Sequence, residues 1–444
     1  MSNVRFSLPQ YAERYEYIRR DLDQNLVTIL GNNVTQRKDN YTFTFEERSA
    51  IYDWSRAYIM VGVRLERLVN GDGGRAGRAY NAGDNVGLVN GIHSLIRRMS
   101  FQGPDGQVIY DVPEINKALF VKKLLEYGPD YAETVATNEL WYLDTGDGKV
   151  TGNTGWELRR NKFVGGGTEA EGPVVYFRLP LKNYSFFESL DFNNVLLSGM
   201  SLKLSIDIES DANLILAAAG ATAGRVVLQK FEFWIPQITL HPSAAEQYIR
   251  SIDQPVKWTY MRERVERSIQ LTAASGRFRI TGVNKPKKVF FYFSSVAKDE
   301  DTAENMYLFD SMFVAINGIG DNRTLTRARL EFDDGSYYPH TEYTSDQIQR
   351  IYHDVQEYAH RNDDDCCGSQ LSRDNFATLY SLIYFDLDYQ KLGTVSDNKD
   401  MTFIYNLTAP PDSAYYIYAV MLYENSASFS KLNNRYTIFS EVSK

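Results

Sequence analysis

Two histidines and a carboxylate near the C-terminal third of the chain form the only set whose residue types resemble a metal site. His340 and Glu342 are one residue apart, and His353 or His360 on the following predicted helix could supply a third ligand. Two His and one carboxylate are the ligands of many non-haem iron sites. The third ligand would here have to come from a helix rather than from a later strand of the same barrel. Surface and turn positions are therefore the favoured interpretation, and no metal ligand is assigned.

Two glycine-containing loops resemble phosphate-binding motifs without completing them. The loop 71–76, GDGGRA, is similar to a loose dinucleotide fingerprint, but no predicted helix or βαβ unit surrounds it. The stretch 148–151, GKVT, fails as a phosphate loop because Leu143 stands where the leading glycine belongs. Val150 also replaces the Ser or Thr that would hold magnesium. The sequence therefore predicts no nucleotide cofactor.

The remaining reactive residues lie in one polar loop. Asp363–Asp365 could bind a cation, although acidic runs are usually solvated. Cys366 and Cys367 are the only cysteines, and being adjacent they are not expected to pair, which predicts a reducing compartment. No nearby His would activate either thiol. The sequence therefore predicts no catalytic, cofactor-binding or metal-binding residue, and the chain is predicted not to be an enzyme.

The elements that would position these residues occur twice. The sequence pattern of Leu325–His360 predicts a strand, an Asp-Gly turn, a short strand with a proline, and a helix. The pattern of 97–129 predicts the same elements in the same order. Phe101 and Phe332 are 231 residues apart, as are Arg98 and Arg329. The second helix is predicted to begin with a capping box at Thr344 and Gln347. Its apolar face comprises Ile348, Ile351, Tyr352, Val355, Tyr358 and Ala359.

The repeat extends in both directions, because 57–63 matches 288–294 and 176–179 matches 384–387. Its period is far longer than the roughly 20–50 residues of a solenoid repeat. Many strands of five to ten residues with polar turns favour a sandwich or jelly roll over a βαβ fold. The predicted fold class is therefore all-β, with one β-sandwich duplicated in tandem and a short helix flanking each copy.

Three segments follow from this pattern: an N-terminal arm at 1–35, a first sandwich at 36–245 and a second at 246–444. Within the arm, Tyr11–Leu22 is predicted to be a polar helix. The Gly-rich excursion Asp144–Gly172 is predicted to be a long exposed loop, as such stretches usually are. It contains Trp156, the one tryptophan expected in a loop.

Composition limits the partners. The chain has 444 residues, 14% of them aromatic, and a net charge of −9, which argues against a protein that coats nucleic acid. Its small basic clusters, Arg19-Arg20, Arg159-Arg160 and Lys285–Lys288, are interpreted as solvated surface. The first 20 residues lack an apolar core, so no signal peptide is expected. No run approaches the ~18 apolar residues of a membrane span.

In the second half an ordered series of motifs resembles the double jelly-roll major capsid proteins of the adenovirus hexon, virophage and polinton–adintovirus lineage. The motifs are Trp258, 276–280 (GRFRI), 285–293 (KPKKVFFYF), 330–339 (LEFDDGSYYP), 350–352 (RIY), 384–387 (YFDL) and 416–424. The first half adds 179–181 (LPL), Gly199-Met200 and 234–236 (WIP). The resemblance covers roughly residues 40–440, without the very long tower insertions of the family.

The resemblance implies two tandem jelly rolls per chain and a homotrimer that forms a pseudo-hexagonal capsomer of an icosahedral shell. It implies location in the virion capsid, after synthesis and assembly inside the host cell. Neighbouring capsomers, penton proteins and minor capsid proteins are the implied partners, with an internal membrane or cement proteins as further candidates. Sequence-specific nucleic-acid binding is not implied.

Three alternatives stay open at this point. A minor capsid or vertex protein is disfavoured by the duplication, since vertex proteins of these viruses resemble single jelly rolls. A two-jelly-roll glycan hydrolase would need clustered carboxylates in a cleft between the halves. A carbohydrate-binding or attachment protein would need an exposed tryptophan, for which Trp156 is the candidate.

Overall fold

The computed structural model describes most of the chain. The described residues are 12–20, 40–45, 51–68, 77–81, 83–103, 106–165, 172–189, 202–221, 224–251, 256–283, 286–300, 304–313, 324–359, 368–388, 399–410, 413–432 and 435–441.

The strands fall into two successive groups. The N-terminal half contains β1 (Ala12–Arg20), β2 (Asn40–Phe45), β3 (Ile51–Tyr52), β4 (Tyr58–Leu68), β5 (Gly77–Arg78), β6 (Val86–Leu88), β7 (Ile96–Gln102), β8 (Val108–Pro113), β9 (Val175–Pro180), β10 (Leu202–Ile208), β11 (Ile215–Ala217) and β12 (Gly224–Leu240). The C-terminal half contains β13 (Val256–Arg267), β14 (Ser275–Val283), β15 (Pro286–Ser295), β16 (Leu325–Phe332), β17 (Tyr337–Tyr343), β18 (Ile383–Asp386), β19 (Lys399–Leu407), β20 (Tyr415–Leu432) and β21 (Arg435–Glu441).

Short helices connect the strands. They are α1 (Ile115–Glu126), α2 (Pro129–Glu133), α3 (Thr154–Arg160), α4 (Ser185–Ser189), α5 (Asp211–Leu214), α6 (Pro242–Ser251), α7 (Val296–Glu300), α8 (Ile348–Tyr358) and α9 (Arg373–Thr378). In the part of the chain that the structure describes, no helix is long and apolar enough to cross a membrane.

Both halves have the same sheet topology. In the N-terminal half, β1-β12-β4-β9 form one sheet, with β3 and β5 as small additions, and β2-β10-β7-β8 form the other. In the C-terminal half, β13-β20-β15-β18 form one sheet, with β21 added, and β14-β19-β16-β17 form the other. These strand pairs are antiparallel. The predicted all-β fold with a duplicated jelly roll is confirmed.

Aromatic side chains fill the space between the two sheets of each half. In the N-terminal half the rings of Phe43 and Phe233, from facing sheets, have centroids 5.4 Å apart. In the C-terminal half Phe291 stacks on Phe403 across the sandwich with centroids 4.1 Å apart. These inward positions alternate with outward polar ones along each strand, as a sandwich core requires. The 14% aromatic content therefore serves two cores.

The repeated hairpin-and-helix unit forms as the sequence predicts. Gly106 and Gly335 both have positive φ, at 76° and 78°, in the turns that join β7 to β8 and β16 to β17. The helices α1 and α8 follow the two hairpins. The predicted capping box is wrong, however, because the Thr344 hydroxyl is engaged by the side chain of Asp346 and makes no cap hydrogen bond.

The predicted polar helix at Tyr11–Leu22 is wrong, because residues 12–20 form β1 and pair with β12 as the outer strand of its sheet. The alternation of Tyr15, Tyr17 and charged residues is a strand pattern that the helix prediction overlooked.

The predicted exposed loop after Asp144 contains a helix, α3, and packs into the protein. Asn153 caps α3 by accepting a hydrogen bond from the Trp156 amide at 3.1 Å. Gly155 lets the helix approach the chain closely, since a Cβ there would lie 2.0 Å from the Leu143 carbonyl oxygen. Trp156 is only 1% exposed, so the expected loop tryptophan is a core residue.

Candidate functional site

The residues of the candidate metal set lie on the surface. His340 is exposed on β17 and His353 is exposed on α8. The Glu342 carboxylate accepts hydrogen bonds from Arg327 and Arg329, each at 2.9 Å, so its oxygens are already used by guanidinium groups. Within the described ranges, no group of three His, Cys, Asp or Glu side chains could hold a metal ion. His360 lies outside the described residues.

The phosphate-loop candidate forms part of an internal contact. Gly148 adopts φ 73° and packs so closely against Leu308 that a Cβ would lie 1.8 Å from it. The Lys149 ammonium lies 3.3 Å from the Glu304 carboxylate. Val150 is buried. The loop therefore contacts the C-terminal half. The glycine loop 71–76, Asp363–Asp365 and the two cysteines lie outside the described residues.

The interpretation of Arg159-Arg160 as solvated surface is wrong for Arg159, which is 0% exposed. Its guanidinium donates to the Leu88 and Val89 carbonyl oxygens at 3.2 and 3.0 Å, to the Tyr142 carbonyl, and to the Asp144 carboxylate. A buried cation of this kind is tolerated only when its donors are satisfied. Arg159 thus ties α3 to the segments on either side of it.

Asp144 extends this network across to the C-terminal half. Its other carboxylate oxygen accepts a hydrogen bond from Asn305 at 2.9 Å, and its backbone amide donates to the Tyr380 hydroxyl at 3.0 Å. Asn153 donates to the same carboxylate at 2.8 Å. The described part of the excursion predicted to be exposed, 144–165, is therefore one of the connections between the two jelly rolls; residues 166–171 lie outside the described residues.

A second set of polar contacts also joins the two halves. Glu263, on β13 and only 3% exposed, accepts hydrogen bonds from the Tyr110 hydroxyl at 2.7 Å and the Ser185 amide at 3.0 Å. The Lys117 ammonium lies 2.6 Å from the Tyr418 hydroxyl. Burial and the negative charge of Glu263 both raise the pKa of Tyr110 well above its ordinary value. We call this region of contacts, with the Asp144 network, the junction.

The junction also contains an aromatic cluster around a buried histidine. His93 is 0% exposed, and its ring lies 5.4 Å from that of Trp141 and 6.2 Å from that of Phe120. Neither ring nitrogen has a hydrogen-bond partner among the described residues. Burial, followed by the positive charges of Lys123 and Arg159, lowers the pKa of His93 well below its usual value. His93 is therefore neutral in the folded chain near pH 7.

This histidine makes stability depend on pH. With its folded pKa depressed, the unfolded chain binds a proton below about pH 6.5 that the folded chain does not, so stability is highest above that pH and falls with acidification. Between pH 7.5 and 5.5 the loss from one such group is on the order of 1 kcal/mol. We expect His93→Phe to have a correspondingly flatter profile in chemical denaturation at the two pH values. Parallel profiles for both proteins would contradict this assignment.

Sequence reasoning missed the junction for a physical reason. Glu263 contacts partners that are 78 or more residues away, and Lys117 contacts Tyr418, 301 residues away. Arg159 contacts Val89, 70 residues away, in addition to its nearer partners Tyr142 and Asp144. No local period or spacing marks such contacts. The one available signal was the charge in otherwise apolar α1, where Lys117 and Lys123 are both buried.

The fold is similar to that of several viral proteins of known structure. A chain of the Sputnik virophage matches with a TM-score of 0.54 and 12% identity, over 98% of this chain and 90% of that chain. The mavirus major capsid protein matches with a TM-score of 0.52 and 11% identity, over 96% and 90%. The Faustovirus major capsid protein matches with a TM-score of 0.51 and 9% identity, over 96% and 92%.

Comparisons of sequence alone find no relative: no family model matches the chain. No curated protein matches it either. The structural similarity extends over nearly the full length of both partners and so includes both jelly rolls. Over almost its whole length, this chain has the double jelly-roll fold of viral major capsid proteins.

Proposed function

We propose that this chain is a viral major capsid protein that assembles as a homotrimeric, pseudo-hexagonal capsomer of an icosahedral shell. The observation that carries the proposal is the tandem pair of jelly rolls with matching sheet orders, similar to the mavirus and Faustovirus major capsid proteins over 96% of the chain. Two similar sandwiches per chain let three chains present six. A cyclic trimer can then occupy a six-sided position in a shell.

The junction supports this role because a chain that forms part of a capsomer needs its two sandwiches held at a fixed angle. Buried hydrogen-bonded contacts such as Glu263 with Tyr110 and Asp144 with Asn305 resist relative motion of the halves. We propose that the chain divides into a first jelly roll up to residue 245 and a second from residue 246. Each of them supplies one of the six sandwiches of the trimer. The chain acts as a structural protein rather than an enzyme.

The proposed partners are further copies of the chain within the trimer, neighbouring capsomers, and penton and minor capsid proteins at the edges. An internal membrane or cement proteins would lie against the inner or outer side of the shell. The carbohydrate-binding alternative loses its support, because the tryptophan that favoured it, Trp156, is 1% exposed and cannot stack on a sugar.

Light scattering coupled to size-exclusion chromatography tests the proposal. We expect a particle with three times the 50.9-kDa mass of the chain, and electron micrographs of the same fraction should show particles with a six-sided outline. A chain that stays monomeric at every concentration tested, from micromolar upward, would contradict the proposal.

A further inference from the structure

The two halves differ in what covers the outer face of the sheet that contains β4 or β15. In the C-terminal half this face, on β13-β20-β15-β18, is covered within the chain. Phe290 and Tyr292 on β15 are 1% and 2% exposed. At the same face, the Lys117 ammonium of α1 lies 3.9 Å from the centre of the Tyr418 ring. A helix of the N-terminal half therefore helps to seal the sheet of the C-terminal half.

The corresponding face of the N-terminal half, on β1-β12-β4-β9, is open. Most of its outward side chains are aromatic or basic, and we call these the aromatic–cationic face: Tyr17, Tyr58, Tyr176, Arg178, Lys230 and Trp234. The one carboxylate described among them, that of Glu232, is already paired with Arg19 and Lys230 at 3.4 and 3.1 Å. Tyr17 and Tyr176 are 42% and 59% exposed, although they occupy the sheet that matches the sealed one. Large exposed aromatic groups of this kind are typical of protein interfaces.

The aromatic–cationic face is held in one arrangement by contacts between its own side chains. The rings of Tyr17 and Tyr58 lie 5.8 Å apart, and Tyr58 stacks on Trp234 at 6.4 Å. The Arg178 guanidinium lies over the Tyr58 ring, 4.2 Å from its centre. Such a surface loses little conformational entropy on binding. Among the described residues, no carboxylate lies within ion-pair distance of Arg178.

The counterpart of α1 in the C-terminal half offers the complementary surface. Helix α8 follows β17 as α1 follows β8, yet α1 is buried on nearly all sides whereas α8 is exposed along one stripe. That stripe consists of Gln349, His353 and Glu357, spaced four residues apart and so on one side of the helix. In the described part of the chain, no Lys or Arg lies within ion-pair distance of Glu357.

We propose that the exposed stripe of α8 in one copy docks on the aromatic–cationic face of a second copy, with Glu357 facing Arg178. This inference rests on the proposed function, because it specifies which surfaces form the trimer. Within one copy, α1 packs on the outer face of the C-terminal sheet. Between copies, α8 would pack in the same way on the outer face of the N-terminal sheet. A head-to-tail contact of this kind closes into a ring when its rotation is a simple fraction of a turn.

Charge exchange tests the pairing. Arg178→Glu and Glu357→Arg should each raise the concentration at which half of the chains are trimeric by about tenfold or more, since each places like charges together. The double variant, Arg178→Glu with Glu357→Arg, should recover most of the lost association. Thermal unfolding of dilute protein should change little in the single variants, because both side chains are exposed. Failure of the double variant to recover would contradict the pairing.

Cross-linking tests the location independently. Tyr176 is replaced by p-benzoylphenylalanine, the protein is irradiated, and peptides linked between copies are identified by mass spectrometry. We expect links to peptides containing residues 349–357. The same replacement at Tyr337, which is 42% exposed on a different sheet, is the matched control and should not give these links.

The outcomes separate the two proposals. A trimer whose Tyr176 links fall elsewhere would overturn this docking mode and leave the capsid assignment standing. A protein that remains monomeric throughout would overturn both. A trimer with links from Tyr176 to α8 supports both.

Discussion

Replacing Arg159 by leucine is expected to lower the free energy of unfolding by about 3–5 kcal/mol, because it leaves the Asp144 carboxylate buried without its cation. Asp144 is 1% exposed and Arg159 is 0% exposed, so water cannot replace the lost contact. The carbonyl oxygens of Leu88 and Val89 also lose their donors. Denaturation by urea, followed by tryptophan fluorescence, measures the change; the buried Trp156 on the same helix is one of the five tryptophans that contribute to the signal.

The neighbouring arginine is a matched control. Arg160 donates to the Asp84 carbonyl at 2.9 Å but is partly exposed, so Arg160→Leu should cost clearly less than Arg159→Leu. Adding Asp144→Leu to Arg159→Leu should restore part of the loss, since it removes the uncompensated charge. Equal destabilisation by the two arginine variants would show that Arg159 does not hold the junction.

The contrast between these arginines shows where sequence reasoning ends. In the chain they are adjacent and look equally suited to a solvated face. Their difference arises from the rotation of α3, which directs Arg159 toward Val89 and Asp144 and leaves Arg160 near the surface. The contact with Val89, 70 residues away in the chain, depends on the tertiary fold, which no local pattern encodes.

The duplicated fold, by contrast, can be predicted from local sequence patterns. The turn glycines Gly106 and Gly335 each specify a positive φ, and the alternation around Phe101 and Phe332 specifies which side of each strand faces the core. Because each signal is complete within about ten residues, one sequence was enough to identify the repeat. The same logic should have identified β1, where Tyr15 and Tyr17 alternate with charged residues.

The aromatic–cationic face is intermediate in how far the sequence alone predicts it. Its tyrosines and basic residues come from β1, β4, β9 and β12, and only the strand pairing brings them together. Tyr176 shares a strand with the buried Phe177 and Leu179, so period-two alternation already indicates that it points away from the core. What the sequence could not supply is the comparison with a sealed sheet of the same topology. That comparison is the reason why we expect the exposed Tyr176 to contact a second copy.

Replacing Ile351 by aspartate is expected to prevent stable folding of the C-terminal jelly roll. Ile351 is 0% exposed on α8, between the helix and the sandwich core. The change removes the burial of an isoleucine, worth about 2–5 kcal/mol with its cavity, and adds a buried carboxylate without a partner. The total is comparable to the whole stability of a typical domain, about 5–15 kcal/mol. Soluble yield, together with circular dichroism of any soluble protein, measures the outcome.

Two aspartate variants of the same helix show that burial, and not helix propensity, decides the result. Tyr352→Asp should be milder, because Tyr352 is partly exposed, although it loses a 2.7 Å hydrogen bond to the Leu371 carbonyl and a ring contact with Phe376 at 5.3 Å. Gln349→Asp, on the exposed stripe, should leave the yield unchanged, as surface substitutions usually do. The sequence places Ile351 and Tyr352 on the same apolar face, whereas the structure ranks them by burial. Soluble, folded Ile351→Asp protein would show that α8 is peripheral to the second sandwich and would remove the basis for treating α1 and α8 as counterparts.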